Sequence, residues 1–432
     1  MLFSLAEARR LLELELIQRQ EEGCDVSGWE RRVANGGRKL DAILGLYAEL
    51  SELRPAAALA RNEPGDLSRI RRLRPRGPRR MPCRISDARL RDRLRGAFLG
   101  RCAGCLLGKP VEGWHRARIL NALKADHRFP LNHYISRSTL LKDDPQRENT
   151  PWVRETITCM ERDDDIDFTI LGIHIAKTHG CGFTTRHVAD EWLNRLPYCA
   201  VYTAERAAYR NLVNGVPLKE VPLRYNPFRE WIGAQIRADG YAYCAAGMPE
   251  LAAEFAWRDA VLSHTRNGIY GEMLFAAMIA AAVVRNDVEE VIDIGLSEIP
   301  ANCRLAEAVR DTVRWYHEHD DWLATLDAIH AKYGHYNAIH TINNAAVVIM
   351  ALLHGNHDFG QTICMAVMGG WDTDCNGATA GSVLGAILGA DRLPAKWIRP
   401  LRNRLRSIVV GYDNARVTDL ADEAWNVNRR IR

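Results

Sequence analysis

Hydrophobic positions recur at three- and four-residue spacing along most of the chain, which is the spacing of one face of an α-helix. From Ser86 onward this pattern predicts nine helices, over residues 87–108, 166–178, 203–214, 250–262, 269–284, 304–318, 342–354, 359–368 and 376–389. No alternation of β-branched residues persists long enough to indicate a sheet. The sequence therefore predicts an all-α protein.

The first 53 residues continue the helical spacing and predict an N-terminal helical hairpin. Its apolar positions fall in two groups: Leu11, Leu12, Leu14, Leu16 and Ile17, then Leu40, Ile43, Leu44, Tyr47 and Leu50. The segment Gly23 to Gly28 can turn between them. Because a hairpin of this kind must bury its apolar stripe against a partner surface, we expect these helices to mediate self-association.

Residues 54–85 differ from the segments on either side in being rich in proline and arginine. The arginines form a basic run of Arg71, Arg72, Arg74, Arg76, Arg79 and Arg80. Such a run is typical of an anionic binding surface or of a solvated linker. No aromatic side chains interleave the arginines as a stacking platform would require, which favours a linker and no specific nucleic-acid partner. The main domain is therefore expected to span residues 86–432.

Composition adds limits on class and location. Of the 432 residues, 47% are hydrophobic and 26% are charged, with a net charge of +4, which excludes a disordered chain and a collagen. The 11 scattered cysteines are typical of a reducing compartment. The longest apolar run, from Leu274 to Val284, is far short of the roughly 20 residues that a membrane span needs. We expect a cytoplasmic protein with no membrane partner.

Two of the predicted helices carry glycine at every fourth position, which places the glycines on one helix face. The stripes are Gly96, Gly100, Gly104 and Gly108, and Gly377, Gly381, Gly385 and Gly389. Each interior glycine costs about 1 kcal/mol relative to alanine, so close approach of another backbone must offset the cost. If the two stripes share one bundle, the segment after Gly108 lies near the segment before Gly377.

Acidic residues cluster beside two of the predicted helices. Asp163, Asp164 and Asp165 precede an apolar helix, and Asp372 and Asp374 precede the second glycine stripe. Each group alone can be read as helix capping. If the fold gathers all five, mutual repulsion favours binding of hard divalent ions such as Mg²⁺, Mn²⁺ or Ca²⁺. Five carboxylates suit two ions about 3.5–4 Å apart.

These residues resemble the ADP-ribosylglycohydrolase family, which includes the dinitrogenase-reductase-activating and ADP-ribosyl-acceptor hydrolase types. The family's Gly-Asp-Ala-Leu-Gly-Ala-Pro-Val-Glu element is similar to Gly104-Cys105-Leu106-Leu107-Gly108-Lys109-Pro110-Val111-Glu112. Its Thr-Asp-Asp-Thr element falls on Asp163-Asp164-Asp165-Ile166, and its Gly-X-Asp-Thr-Asp-Thr element falls on Gly370-Trp371-Asp372-Thr373-Asp374-Cys375. A mid-chain histidine segment resembles Ser263 to Gly271, and a glycine-rich loop resembles Ile232 to Arg237.

The resemblance implies an all-α helical bundle that uses two divalent ions, Mg²⁺ or Mn²⁺, to hydrolyse the bond at C1 of the distal ribose of an ADP-ribosylated protein or a small nucleotide-like substrate. The implied metal ligands are Asp163, Asp164, Asp165, Asp372 and Asp374. The implied catalytic residues are Asp374 or Asp164 as the base, with Glu112 beside the metals. The implied substrate-binding residues are His264, Asn267, Gly268 and Gly233, and Trp371 is our own candidate for stacking on a base or ribose.

The chain departs from the family pattern at Cys105, Asp163, Ile166 and Cys375. These changes leave a nucleoside or nucleotide N-glycoside open as an alternative substrate. A non-catalytic ADP-ribose-binding module is a second alternative. A terpenoid synthase is a third, because residues 163–167 fit its DDxxD motif, although the partner motif is incomplete in residues 286–290.

Overall fold

The computed structural model describes residues 3–37, 39–142 and 150–432, and within these ranges the chain is all-α, as predicted. The described residues contain no strand, although two isolated bridges pair Met160 with Leu405 and Trp231 with His340. The helices are α1 (Leu5–Glu21), α2 (Trp29–Ala34), α3 (Leu40–Ser51), α4 (Ala57–Asn62), α5 (Leu67–Leu73), α6 (Asp87–Gly108), α7 (Arg116–Ala125), α8 (Arg137–Leu141), α9 (Asp164–His179), α10 (Thr185–Arg195), α11 (Thr203–Val213), α12 (Ala238–Cys244), α13 (Pro249–Ala260), α14 (Arg266–Ala282), α15 (Val288–Leu296), α16 (Arg304–Glu318), α17 (Trp322–Tyr333), α18 (Thr341–His354), α19 (Phe359–Met368), α20 (Thr373–Leu388), α21 (Ala395–Ile398) and α22 (Val417–Ile431).

Side-chain caps fix several of the helix starts that position the site. The Ser86 hydroxyl accepts a hydrogen bond from the Arg89 N–H at the start of α6. The Asp163 carboxylate accepts one from the Asp165 N–H at the start of α9. Each cap satisfies a backbone donor that has no partner within its helix. The N-terminus of α9 is therefore an ordered, electropositive end.

The two glycine stripes face each other along the antiparallel pair α6 and α20, as predicted. A Cβ atom on Gly100 would overlap the carbonyl of Gly381, and one on Gly104 would overlap the carbonyl of Gly377. At the end of the pair, the Thr373 hydroxyl donates a hydrogen bond of 2.8 Å to the Gly108 carbonyl. The contact thus joins the end of α6 to the start of α20.

The N-terminal helices form a small apolar cluster of their own, which packs partly against Tyr225 and Phe228 of the same chain. Beneath them the Arg229 guanidinium binds Glu15 at 2.7 Å and Glu22 at 3.0 Å, and all three side chains are buried. Much of the stripe is therefore covered within the chain. Self-association stays a prediction.

Residues 54–85 lie across the surface of the main domain, and their arginines bind carboxylates there. Arg71 contacts Glu254 at 2.7 Å, and Arg79 contacts Glu298 at 2.7 Å. Ile70 of α5 is fully buried.

Among the described residues, no helix is both long enough and apolar enough to cross a lipid bilayer.

We expect Gly104→Ala to lower the free energy of unfolding by about 1–3 kcal/mol or more, because the new methyl group must push α6 away from α20. Gly45→Ala is the matched control, since Gly45 lies inside α3 with open space around it. That change should stabilise the protein by about 0.5–1 kcal/mol. Urea unfolding of both variants measures the difference, and equal effects would contradict the close contact.

Candidate metal centre and active site

Backbone hydrogen bonds fasten the loop after α6 to the loop before α20. The Gly113 N–H donates to the Trp371 carbonyl at 2.9 Å, and the Trp371 N–H donates to the Trp114 carbonyl at 3.0 Å. Gly370 has a φ of +79°, and a Cβ there would run into the backbone of Arg116. The glycines thus let the Glu112 element and the Asp372 element lie side by side.

The third acidic element meets the other two at the start of α9. The Cys375 thiol donates a hydrogen bond of 3.3 Å to Asp165 Oδ2. Asp163, Asp165, Asp372 and Asp374 are all at most 5% exposed. The fold therefore brings together the two aspartate elements, which lie about 200 residues apart in the chain.

A lysine stands within this group of carboxylates. Lys109 Nζ lies 2.7 Å from Asp163 Oδ2, 2.9 Å from Glu112 Oε2 and 3.2 Å from Asp374 Oδ2. Burial alone would lower the pKa of Lys109, but the charges of Asp374 and Asp163 outweigh it and raise that pKa. The ammonium therefore stays charged and links Asp163 of one aspartate element to Asp374 of the other.

Arg101 supplies a second buried positive charge on the side of α6 that faces α9. Its guanidinium contacts Asp165 Oδ1 at 3.2 Å, Asp239 Oδ2 at 2.8 Å and the Ile236 carbonyl at 2.7 Å. Its Nε donates to the Thr169 hydroxyl at 2.7 Å. One side chain thus fixes the N-terminus of α9 against both α6 and the loop that precedes α12.

The titration of the acidic residues reflects their crowding. Burial raises the pKa of Asp165 and of Asp372 well above the ordinary value. The charge of Asp374, together with burial, raises the pKa of Glu112 to about 7. Burial also raises the pKa of the Cys375 thiol, so this side chain acts as a hydrogen-bond donor and not as a thiolate. Buried acids of this kind favour binding of a cation.

The donor set fits a hard divalent ion at one end of the centre. Oxygens of Asp372 and Asp374 and the Cys375 sulfur lie within 4.8 Å of one another. Asp374 Oδ1 is buried, and none of the described residues donates a hydrogen bond to it. Carboxylate oxygens are the ligands that Mg²⁺ and Mn²⁺ prefer. At the other end, Cys105, Asp163 and Asp165 offer atoms within 4.8 Å of one another, beside the Lys109 ammonium.

Asp164 and Glu112 are the more accessible of the predicted acidic residues. Asp164 is the first residue of α9 and is partly exposed, and the Glu112 side chain is 47% exposed. Both belong to segments that hydrogen bonds fix in place. The centre is therefore open to solvent at the edge that these two residues form.

Four of the predicted substrate residues lie together in a second cluster. The Gly233 carbonyl accepts from Arg237, and His264 Nε2 lies 3.9 Å from Glu205. Gly268 packs directly on His264. Burial lowers the pKa of His264 well below its usual value, so this imidazole is neutral.

The N-terminal segments cover this second cluster. Asn267 Nδ2 donates to Glu63 at 2.9 Å and to Glu230 at 2.8 Å. Glu230 also accepts from Gln18 of α1 at 3.0 Å. A cavity of about 750 Å³ lies here, and His264 and Trp257 are among its lining residues. None of the contacts described for these residues reaches the carboxylates of the acidic centre.

Trp371, the fifth predicted substrate residue, lies at the acidic centre, but one face of its indole is covered. The His330 imidazole stacks on it with a centroid distance of 3.9 Å and an interplanar angle of 17°. Trp371 adopts a φ of +65°, which is unusual for a large residue. Packing therefore fixes this loop in the conformation that presents Asp372 and Asp374.

Sequence reasoning missed two polar residues of the centre, Lys109 and Arg101, and Asn344 lies beside Asp372. Asn344 Oδ1 accepts from the Asp372 N–H at 3.1 Å and from Asn376 Nδ2 at 2.8 Å. Lys109 lies inside the element that ends at Glu112, so its charge among neutral neighbours was the available signal. Arg101 carries no such signal, because its partners are remote in sequence.

Comparison with known proteins identifies the family to which the chain belongs. The family model described as ADP-ribosylglycohydrolase matches residues 86–431, so the chain belongs to the ADP-ribosylglycohydrolase family. A solved structure titled "ADP-ribosylglycohydrolase-related protein complex" is similar in fold, with 18% sequence identity and a TM-score of 0.51. That match covers 79% of this chain and 99% of the other. No protein of curated function matches the chain.

We expect Arg101→Met to lower the free energy of unfolding by about 3–5 kcal/mol, because it leaves Asp165 and Asp239 buried without their guanidinium. Arg95→Met is the matched control on the same helix. Arg95 binds Asp422 at 2.7 Å but is 33% exposed, so its loss should cost about 1 kcal/mol or less. Urea unfolding of the two variants measures both changes in the free energy of unfolding. Similar decreases in the two variants would refute a special role for Arg101.

Proposed function

We propose that this protein is a metal-dependent glycosidase that hydrolyses the bond between C1 of a ribose and an acceptor nitrogen, with an ADP-ribosyl-arginine-like compound as the substrate. Membership of the family supports a glycoside hydrolase. The observation that carries the proposal for this chain is the contact between Cys375 and Asp165 at 3.3 Å, which unites the two aspartate elements in one centre.

The proposed reaction needs an oriented water and a group that takes its proton. Asp374 Oδ1 is suited to that task, because it is buried and no described group donates to it, while Oδ2 is held 3.2 Å from Lys109. Water adds to C1, and the C1–N bond breaks with its electron pair going to the acceptor nitrogen. Asp164, partly exposed at the same centre, is the alternative base.

Asp372 and Asp374 would hold a divalent ion. Asp164 and Asp165, at the start of α9, would be its further ligands. When bound, it supplies positive charge that orients the ribose hydroxyls and lowers the pKa of a bound water. Mg²⁺ and Mn²⁺ both suit these oxygen donors. Two ions, with Asp163 as a further ligand, are the expectation from the family resemblance.

One observation favours a smaller N-glycoside as a second candidate substrate. Gly233, His264, Asn267 and Gly268, which the resemblance assigns to ADP-ribose binding, are buried under the N-terminal segments. A nucleoside or nucleotide needs less of that surface than an ADP-ribosylated protein does. Hydrolysis of its N-glycosidic bond uses the same acidic centre.

We expect the purified protein to release ribose or ADP-ribose from at least one compound in a panel of ADP-ribosyl-arginine, ADP-ribosyl-serine, nucleosides and nucleotides. Turnover should require Mg²⁺ or Mn²⁺ and stop in chelator. Because Asp372 is a proposed ligand, Asp372→Asn should lower kcat/KM by about 100-fold or more. Product release measured by chromatography gives the rates.

Asp190→Asn is the matched control, because Asp190 is an exposed carboxylate on α10 with one distant arginine contact at 4.0 Å. It should leave the rate unchanged. Absence of cleavage across the whole panel with either metal would reject the glycosidase and leave a binding module. Undiminished activity in chelator would reject the metal mechanism alone.

A further inference from the structure

The position of the Lys109 ammonium coincides with a position that a metal ion would need. Three carboxylate oxygens, from Asp163, Glu112 and Asp374, converge on this nitrogen at 2.7, 2.9 and 3.2 Å. A divalent ion that bridged the same oxygens would lie at their common centre, with metal–oxygen distances of about 2.0–2.2 Å for Mg²⁺ or Mn²⁺. The nitrogen and the ion exclude each other there.

We propose that Lys109 permanently takes the place of one of the two divalent ions, so that this protein binds a single ion per chain. This inference rests on the proposed function to the extent that the centre is a metal site. It replaces the expectation of a dinuclear centre by one ion and one fixed ammonium. The single ion lies at the Asp372 end.

The hydrogen bonding of Asp163 supports this assignment. Its Oδ1 accepts the capping hydrogen bond from the Asp165 N–H at 3.0 Å, and its Oδ2 faces Lys109 at 2.7 Å. Oδ1 thus serves as the cap, and the ammonium balances the charge on Oδ2, which is buried and accepts no hydrogen bond.

The two residues also form a compensating pair. Lys109 and Asp163 carry opposite charges 54 residues apart in the chain, and their charged atoms lie 2.7 Å from each other. An ion pair of this kind costs less when both members are present, because neither is left buried alone.

The backbone that carries Lys109 is held in place at the mouth of the centre. Lys109 begins a 3₁₀ turn, Lys109–Val111, directly after α6, and Pro110 fixes the next φ angle. The preceding Gly108 is pressed against the backbone of Thr373. The Lys109 side chain is 19% exposed. The contact between Gly108 and Thr373, which joins the end of α6 to the start of α20, thus also places Lys109 beside the acidic centre.

The other end of the centre keeps the features of an ion site. Asp374 Oδ1 is buried without a donor among the described residues, and a carboxylate oxygen of Asp374 lies within 4.8 Å of ligand atoms of Asp372 and Cys375. Lys109 contacts the opposite oxygen of Asp374, Oδ2. One carboxylate can therefore serve the ammonium on one side and a metal ion on the other.

The test is the number of Mn²⁺ ions bound per chain, measured by equilibrium dialysis and by electron paramagnetic resonance at low temperature. The wild-type protein should bind one ion and give the spectrum of an isolated Mn²⁺. Lys109→Ala removes the ammonium and should bind two ions with an exchange-coupled spectrum. Lys177→Ala, at an exposed lysine paired with Glu423, is the matched control and should bind one.

A double variant, Lys109→Ala with Asp163→Thr, guards against misfolding of the single variant, because it also removes the charge that Lys109 neutralises. It should bind two ions and keep the wild-type circular dichroism. A wild-type stoichiometry other than one overturns the proposal, and so does a folded double variant that still binds one ion.

These measurements need no substrate. A protein that binds one Mn²⁺ but cleaves nothing would defeat the proposed function and leave the role of Lys109 standing. A protein that cleaves an N-glycoside while binding two ions would support the proposed function and defeat the role proposed for Lys109. The two proposals therefore fail independently.

Discussion

The contact between the glycine faces of α6 and α20 is the constraint on which the centre depends. With no Cβ atoms between them, the two backbones touch from Gly96 to Gly108, and the loops that leave the pair emerge at the same point. One loop carries Lys109 and Glu112, and the other carries the aspartates that begin at Asp372. A stripe of four glycines forfeits roughly 3 kcal/mol of helix propensity, and dense packing over the length of both helices offsets that loss. The glycines are thus needed less for the helices themselves than for the position of these two loops.

Bringing so many carboxylates together is unfavourable unless positive charge accompanies them. The protein supplies part of that charge itself, through Arg101 on Asp165 and through Lys109 on Asp163 and Asp374. The N-termini of α9 and α20 add the partial positive charge of their free N–H groups. Burial raises the pKa values of Asp165 and Asp372, and a bound divalent ion would favour their charged forms. The side chains of Arg101 and Lys109 and a bound divalent ion can therefore each neutralise part of this negative charge. Under the proposal for Lys109, one lysine takes the place of one ion.

The sequence predicted the features that depend on local pattern. All nine predicted helices occur, and the two glycine stripes share one bundle and face each other. Helix α22 (Val417–Ile431) was missed although Leu420, Ala424 and Val427 carry the helical spacing, because charged residues interrupt its apolar run. The partners of Arg101 and Arg229 could not be predicted, since each ion pair joins segments more than 60 residues apart with no shared pattern. The family resemblance gave the identities of the acidic residues but not the identity of the cation between them.

The docking of the N-terminal helices limits how a substrate reaches the acidic centre. Arg229 is buried with Glu15 and Glu22, and lifting α1 away would leave that guanidinium without its carboxylates, at a cost of about 3–5 kcal/mol. Arg229 therefore fastens α1 to the main domain. The N-terminal segment covers the cluster around His264 and, together with His264, lines the cavity of about 750 Å³ beside it. At the acidic centre, by contrast, Glu112 is half exposed while the aspartates behind it are buried. The edge at Glu112 is therefore the open side of the acidic centre, and either of the proposed substrates would approach the buried aspartates from there.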